Sequence, residues 1–89
     1  MAEVHFTSHL RTLVPGAPYS VAGATVAEAL DDLFRGEPHV RGYVLDERGA
    51  LRKHVCIFAD GERLQHEAAL SRRIEPATKL YVMQSLSGG

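Results

Sequence analysis

One helix near the middle of the chain limits the folds that this sequence can adopt. Thr25 and Glu28 form a capping box, in which the Thr25 hydroxyl accepts from the Glu28 amide and the Glu28 carboxylate accepts from the Thr25 amide. Arg35 complements the helix dipole at the other end, where Gly36 suits a left-handed stop. Apolar side chains at helical spacing form one stripe, which comprises Val26, Leu30, Leu33 and Phe34. The sequence therefore predicts a helix that buries one side against another element.

The segments before and after this helix alternate with the two-residue period of β-strands. Asp60-Gly61 is a tight-turn signal and predicts a hairpin, whereas the proline- and glycine-containing stretch 11–18 predicts a looser turn. The first two strands are expected to pair antiparallel. The expected strands are 3–7, 19–22, 54–59, 62–64 and 79–84.

The stretch between the helix and the hairpin is less regular. Gly42 to Leu45 is expected to form a short strand, and Asp46 to Gly49 a turn. Apart from this short strand, the order of elements is β-β-α-β-β-β. One helix and one sheet in this order predict a small α+β domain.

The length and charge of the chain exclude several classes of function. Its 89 residues suit one domain. A formal net charge of -1 provides no broad electrostatic basis for binding nucleic acid or an anionic membrane. No apolar run approaches a membrane span, and the start MAEVHF does not resemble a signal peptide. Because Cys56 is the single cysteine, no internal disulfide is expected, and we predict a cytoplasmic protein.

Two glycines, Gly88 and Gly89, follow the last predicted strand almost directly. Glycine loses the most conformational freedom on ordering, so such a segment normally frays. We expect a folded domain over 1–84 and a flexible tail over 85–89. The tail is either a segment without function beyond the end of the domain, or it is the functional part of the protein.

The element order, combined with Gly88-Gly89, is similar to the ubiquitin-like β-grasp fold. Within that fold, the chain resembles the MoaD/ThiS family of small sulfur-carrier proteins. The resemblance implies a mixed sheet packed on one main helix, with a flexible C-terminal tail. The long stretch after the helix is more similar to MoaD-type members. The matching segments are 25–34, 45–55, 57–64 and 80–89.

The resemblance also implies a chemical role for the tail. An E1-like enzyme would adenylate the Gly89 carboxylate with its own bound ATP, and a sulfur donor would displace AMP to leave a thiocarboxylate. Gly88 would allow close approach of the backbone to that enzyme. The chain would then be a protein co-substrate without a cofactor, not an enzyme. Its acceptor would be a larger protein, such as the large subunit of molybdopterin synthase.

Other destinations and other functions remain open at this level. A carrier of this family can also supply sulfur for thiamine, cysteine or secondary-metabolite synthesis. A ubiquitin-like modifier would attach Gly89 to lysines of other proteins. A non-covalent binding module would have an incidental Gly88-Gly89 pair.

Side chains near the tail are candidates for partner binding. If Leu80 and Val82 face the helix, Tyr81 and Met83 project from the opposite face of the sheet and are available to a partner. The alternative is that the segment 37–53 folds over them.

Within the tail, Leu86 and Ser87 are expected to bind a partner groove as an extended peptide. The alternative for Leu86 is that it packs back on the domain.

The remaining residues that could bind a metal or an anion form less specific patterns. His54 and Cys56 lie two apart on a strand and form at most half a metal site, so no metal is expected. Two basic clusters would contact a phosphorylated substrate or an acidic partner, or are simply solvated. These clusters are Arg48 with Arg52 and Lys53, and Arg72 with Arg73.

Overall fold

The computed structural model describes residues 1–14 and 18–84, without the side chains of Ser8, His9 and Leu13. Two 3-10 helices, Ser8–Leu13 and His66–Ala68, lie between the main elements. The α-helices are α1 (Val26–Gly36) and α2 (Pro38–Val44). The strands are β1 (Ala2–Phe6), β2 (Tyr19–Val21), β3 (Val55–Ala59), β4 (Glu62–Arg63) and β5 (Lys79–Gln84).

All five strands form one mixed sheet in the order β2-β1-β5-β3-β4. The first and last strands of the sequence are central neighbours and run parallel, with Val4 beside Leu80. The other neighbouring pairs are antiparallel, and Val82 of β5 lies opposite Ile57 of β3. The centre of the sheet is thus built from segments far apart in sequence.

Helix α1 begins with the predicted cap, but its second hydrogen bond differs. The Thr25 hydroxyl oxygen accepts from the Glu28 amide at 3.2 Å. The Glu28 carboxylate accepts from the Ala24 amide at 2.8 Å, one residue before the expected donor. The predicted apolar stripe is buried, together with Ala29.

The strand predicted over 42–45 is wrong, because residues 42–44 belong to α2. Pro38 occupies the start of the helix, where its fixed φ and missing N–H are favourable. Val40 and Val44 are four residues apart, so a helix turns both inward, and both are fully buried. Leu45 follows α2 and is bridged to Leu51.

The predicted turns have different outcomes. Asp60 and Gly61 have φ values of 49° and 87°, so the tight turn of the β3–β4 hairpin is confirmed. The turn at 46–49 is also present, with the Gly49 amide donating to the Asp46 carbonyl oxygen at 3.0 Å. The expected turn over 11–18 begins differently, because residues up to Leu13 are in a 3-10 helix. The rest of it includes 15–17, outside the described residues.

Both α-helices bury their apolar sides on the same face of the sheet. Leu30 of α1 and Val40 of α2 share one core cluster with the inward side chains of the central strands. The strand side chains in this core include Val4, Ile57, Leu80 and Val82, all at 0% exposure. The opposite face of the sheet is left without either α-helix.

Gly23, just before α1, is required by its conformation and by its surroundings. Its φ is +156°, and an added Cβ would lie 2.7 Å from the Ala29 nitrogen and 2.9 Å from the Glu28 carbonyl carbon. Both of these atoms belong to the backbone and cannot rotate away. We expect Gly23→Ala to reduce the free energy of unfolding by about 2 kcal/mol. Thermal unfolding would then show a midpoint lower by roughly 8–16 °C.

Gly42→Ala is the matched control for this prediction. Gly42 lies inside α2, and nothing lies within 4 Å of the position of its added Cβ. Alanine there should raise the free energy of unfolding by about 0.5–1 kcal/mol, because it restricts the unfolded chain. Equal midpoints for the two variants would contradict the role assigned to Gly23.

Candidate functional site

One face of β5 packs against the core, and its other face is partly exposed to solvent. Leu80 and Val82 are fully buried against the core. Tyr81 and Met83 alternate with them and are half-buried on the opposite face of the sheet. The predicted orientation of β5 is therefore present, and neither outward side chain is buried in the single chain. Their proposed contact with a partner stays a prediction.

The segment 37–53 does not fold over Tyr81 and Met83. Its buried side chains enter the core on the inward side of the sheet, and they are Val40, Val44, Leu45 and Leu51.

Neighbouring strands extend this outward surface on both sides of β5. In the parallel pair His5 lies beside Tyr81, and in the antiparallel pair Phe58 lies opposite Tyr81 and Cys56 opposite Met83. All five side chains are half-buried. We call His5, Cys56, Phe58, Tyr81 and Met83 the open face.

The Tyr81 ring is held in place by a direct neighbour. It stacks on the His5 ring, with centroids 4.5 Å apart and an interplanar angle of 16°. The His5 Nε2 atom lies 3.0 Å from the Glu3 carboxylate. Aromatic stacking of this kind restricts the ring before any partner arrives, which reduces the entropy lost on binding.

Sequence reasoning missed three members of the open face. No partner-binding role was predicted from the sequence for His5, Cys56 or Phe58. The alternation of β3 was a usable signal, because inward Val55 and Ile57 imply an outward residue at 56 and at 58. No local pattern indicated that β1 would lie beside β5.

A shallow groove lies where β5 ends. Gln84, the last described residue, pairs with Val55 at the start of β3. The groove has a volume of about 400 Å³ and includes Gln84 and the side chain of Tyr43, which is 53% exposed. Its polar lining also includes Asp46, Arg52, Lys53 and His54.

The predicted basic clusters differ in their contacts. Arg72 is 3.3 Å from the Glu62 carboxylate, so this cluster is partly paired within the domain. Arg52 donates its Nε–H to the Gly42 carbonyl oxygen at 2.7 Å, which fixes its position beside the groove. Lys53 forms no ion pair with any residue of the described chain.

Asp46 organises the loop at the edge of this groove. Its carboxylate accepts from the Ala50 amide at 3.0 Å and from the Arg48 amide at 2.9 Å. These two hydrogen bonds, with smaller contributions from the Arg48 and Arg52 charges, hold the pKa of Asp46 below its ordinary value of 3.8. The ionised carboxylate is therefore the form that the folded loop favours.

We expect this contact to produce acid-sensitive stability. The folded-state pKa of Asp46 is lowered, so its contribution is present above about pH 4 and is lost as the pH falls through the folded pKa. Asp46→Asn should lower the unfolding midpoint at neutral pH, and its difference from the wild type should shrink in acid. Chemical denaturation across pH 2–7 measures both effects.

Glu47→Gln is the control, because it removes a neighbouring exposed charge that forms no ion pair in the described residues. A pH profile of Asp46→Asn parallel to that of the wild type would contradict the assignment.

The possible half-site for a metal is not completed. Cys56 lies 3.7 Å from the Met83 carbonyl oxygen. Within residues 1–14 and 18–84, no group of three or more His, Cys, Asp or Glu side chains is arranged to hold a metal ion.

The predicted tail positions Leu86, Ser87, Gly88 and Gly89 lie outside the described residues. Their predicted roles therefore remain proposals.

Known structures share this arrangement over its full length. Haloferax volcanii SAMP1 is 25% identical, with a TM-score of 0.80, and the alignment covers 99% of this chain and 98% of that one. A chain in the Amycolatopsis orientalis BexX/CysO complex is 21% identical, with a TM-score of 0.84 and full coverage of both chains. Mycobacterium tuberculosis CysO is 19% identical, with a TM-score of 0.83, and 97% of this chain and 100% of that one are covered.

The chain has the ubiquitin-like β-grasp fold. This confirms the fold expected from the order of elements, with a second helix, α2, added beside the main one. Comparisons with protein-family models and with curated protein sequences give no match. Neither α1 nor α2 is long and apolar enough to cross a membrane, and the same holds throughout the part of the chain that the structure describes.

Proposed function

We propose that this β-grasp protein is a sulfur carrier that acts through the carboxylate of Gly89. The observation that carries the proposal is the end-to-end match to CysO and SAMP1 structures, combined with Gly88 and Gly89, which lie four and five residues after the last strand. The domain supplies recognition surfaces, and the tail supplies the reacting group. The chain is thus a protein co-substrate, and the catalytic groups belong to its partners.

The proposed reaction has two steps on the Gly89 carboxyl group, the first through its oxygen and the second at its carbonyl carbon. An oxygen of the Gly89 carboxylate attacks the α-phosphorus of ATP bound by an E1-like enzyme, and pyrophosphate leaves. A sulfur nucleophile from the donor then attacks the carbonyl carbon, and AMP leaves. With hydrosulfide as the nucleophile, loss of one proton completes the step and leaves a thiocarboxylate on Gly89. Adenylation is needed because a carboxylate at neutral pH is a poor acyl donor.

The tail residues have complementary roles in this proposal. Gly88 and Gly89 have no Cβ, so an enclosed active site can approach their backbone closely. Leu86 and Ser87 contact the partner's groove as extended peptide. The open face, centred on Tyr81 and Met83, docks on the same partner, which agrees with the enrichment of aromatic residues and methionine in interfaces.

The acceptor that we propose to test first is the large subunit of molybdopterin synthase. In that assembly this chain would be the non-catalytic small subunit. The resemblance of the long stretch between α1 and the β3–β4 hairpin to MoaD-type members supports this choice. The neighbouring structures are named CysO and SAMP1, so they support a carrier or modifier role without favouring molybdopterin as the destination.

Attachment of Gly89 to other proteins is a second candidate function. Haloferax volcanii SAMP1, at 25% identity, is a small archaeal modifier protein, which specifically favours this alternative. Its first step, adenylation, would be the same. The chain has two lysines, Lys53 and Lys79, so few positions are available for linking copies of itself. Lysine adducts of the tail in host cells would establish this function.

The direct test is an intact-mass measurement after incubation with the host's E1-like enzyme, ATP and a sulfide source. We expect a mass gain equal to the replacement of one oxygen by sulfur, localised to Gly89 by fragmentation. Subsequent incubation with the molybdopterin synthase large subunit and its substrate should reverse the gain. Absence of any gain, with an enzyme active on another carrier, would contradict the carrier proposal.

A further inference from the structure

We infer that the surface around Lys53 binds an acidic surface of the protein that activates Gly89. We call Tyr43, Arg52, Lys53, His54 and Arg63 the tail-base patch. The inference rests on the proposed function for the identity of the partner, and it adds a second contact region to the open face. The occupant is a carboxylate-rich protein surface.

The reach of the tail places the partner at this patch. Five residues, 85–89, follow Gln84, and an extended chain spans at most about 3.3–3.6 Å per residue. An active site that receives Gly89 must therefore lie within about 18 Å of Gln84. A protein that encloses this site must cover the surface next to Gln84, which is the groove that contains Lys53 and His54.

The charges around the groove select an acidic partner. A second groove of about 240 Å³ adjoins the first and shares Lys53 and His54 with it, and Arg63 lies on its edge. Together the two grooves are lined by three cations, Arg52, Lys53 and Arg63, and by one carboxylate, Asp46. The whole chain, in contrast, has a formal net charge of -1.

The single carboxylate is already engaged within its own loop. Asp46 accepts hydrogen bonds from the Arg48 and Ala50 amides, so these bonds orient it toward the loop backbone. The charges of Lys53 and Arg63 form no ion pair with any residue of the described chain. Opposite charges on a partner would raise the rate of encounter and fix its orientation.

Tyr43 and Arg52 give the patch a fixed geometry. The Arg52 Nε–H donates to the Gly42 carbonyl oxygen at 2.7 Å, and this hydrogen bond connects the segment before β3 to α2. Tyr43, the next residue of α2, is 53% exposed and is one of two exposed large hydrophobic residues in the described part of the chain, the other being Met1. An exposed aromatic ring is typical of the centre of a protein interface, and charged side chains such as these are typical of its polar rim.

The chain offers a closely matched test, because its two lysines lie at opposite ends of the sheet's central region. Lys53 lines the same groove as Gln84, whereas Lys79 begins β5, five residues before Gln84. We expect Lys53→Glu to raise the KM of activation by the adenylating enzyme about fivefold or more, with kcat unchanged. Lys79→Glu causes the same change in net charge and should alter the KM by less than about twofold. The difference should shrink toward 1 M salt, where screening acts over about 3 Å.

A binding measurement on the full chain tests the patch independently of activation. The isotope-labelled protein is titrated with hexaglutamate and, separately, with inorganic pyrophosphate, and amide shifts are followed by NMR. We expect hexaglutamate to shift the Tyr43, Arg52, Lys53 and His54 amides, with little effect at Lys79. Lys53→Glu should suppress these shifts. A response to pyrophosphate alone would overturn the inference in favour of a site for small phosphorylated molecules.

The two measurements separate the possible failures. If the wild type acquires no sulfur but hexaglutamate shifts the patch, the proposed function is wrong and the acidic-surface inference is supported. If the wild type is activated, Lys53→Glu behaves as Lys79→Glu and hexaglutamate shifts nothing, the carrier proposal is supported and the inference is wrong. Thermal unfolding of both variants verifies that each remains folded.

Discussion

Addition of one alanine after Gly89 is expected to abolish thiocarboxylate formation and to leave the unfolding midpoint unchanged. The Gly89 carboxyl group then becomes an amide, and the new carboxylate lies one residue further along, next to a Cβ. An active site shaped for the bare backbone of Gly88 and Gly89 would exclude it. The buried side chains of residues 1–14 and 18–84 all lie before the tail, so the core that they form should be unaffected. Intact mass after activation and thermal unfolding measure the two results.

The control for this prediction is the same alanine inserted after Met1, which is 71% exposed. That variant should acquire sulfur at the rate of the wild type. Normal activation of the C-terminally extended chain would instead contradict the requirement for Gly89 at the terminus. A non-covalent β-grasp module would acquire sulfur in none of these forms.

Tyr81→Asp is expected to have the second-largest effect on activation. Tyr81 lies at the centre of the open face, between His5 and Phe58, and a buried interface aromatic often contributes 2 kcal/mol or more. We therefore expect kcat/KM for activation to fall by roughly thirtyfold or more. Loss of the stack with His5 should cost the folded domain only about 1 kcal/mol, a midpoint shift of about 4–8 °C.

Leu80→Ala provides the contrast on the same strand. Leu80 is fully buried, so its truncation should cost about 3 kcal/mol and lower the midpoint by more than the substitution of Tyr81. If Tyr81→Asp destabilised the domain as much as Leu80→Ala, Tyr81 would be a packing residue and not a docking residue. Steady-state activation kinetics and thermal unfolding of both variants decide between these roles.

The candidate site was predictable to different degrees in its different parts. The outward direction of Tyr81 and Met83 followed from alternation along a single strand, and the structure has that orientation. The roles of Gly88 and Gly89 came from resemblance and remain proposals. Phe58 and His5 were not predicted as site residues, because their position depends on which strands become neighbours.

The helix α2 illustrates a different limit of sequence reasoning. Gly42 to Leu45 contains β-favouring residues, so local propensity predicted a strand. Val40 and Val44 are buried in the shared core while Gly42 between them is exposed, which favours the helix, because a strand would place all three residues on one face. Pro38 and the four-residue spacing were signals that a reader of the sequence could have used.

The sequence by itself determined the elements whose information is local. The Thr25 cap, the stripe of α1, the Asp60-Gly61 turn and the two faces of β5 each depend on residues within a few positions of one another. Hydrogen bonding and side-chain periodicity act over that range, so local reasoning was sufficient for them.

Only the tertiary structure decided which surfaces exist. The parallel pairing of β1 with β5 places His5 on Tyr81, and the pairing of β3 with β5 adds Phe58 and brings Val55 beside Gln84. These contacts join segments up to about 75 residues apart, and no local pattern encodes them. They form because the sheet and both helices bury their apolar sides in one core, which leaves the open face and the tail-base patch outside.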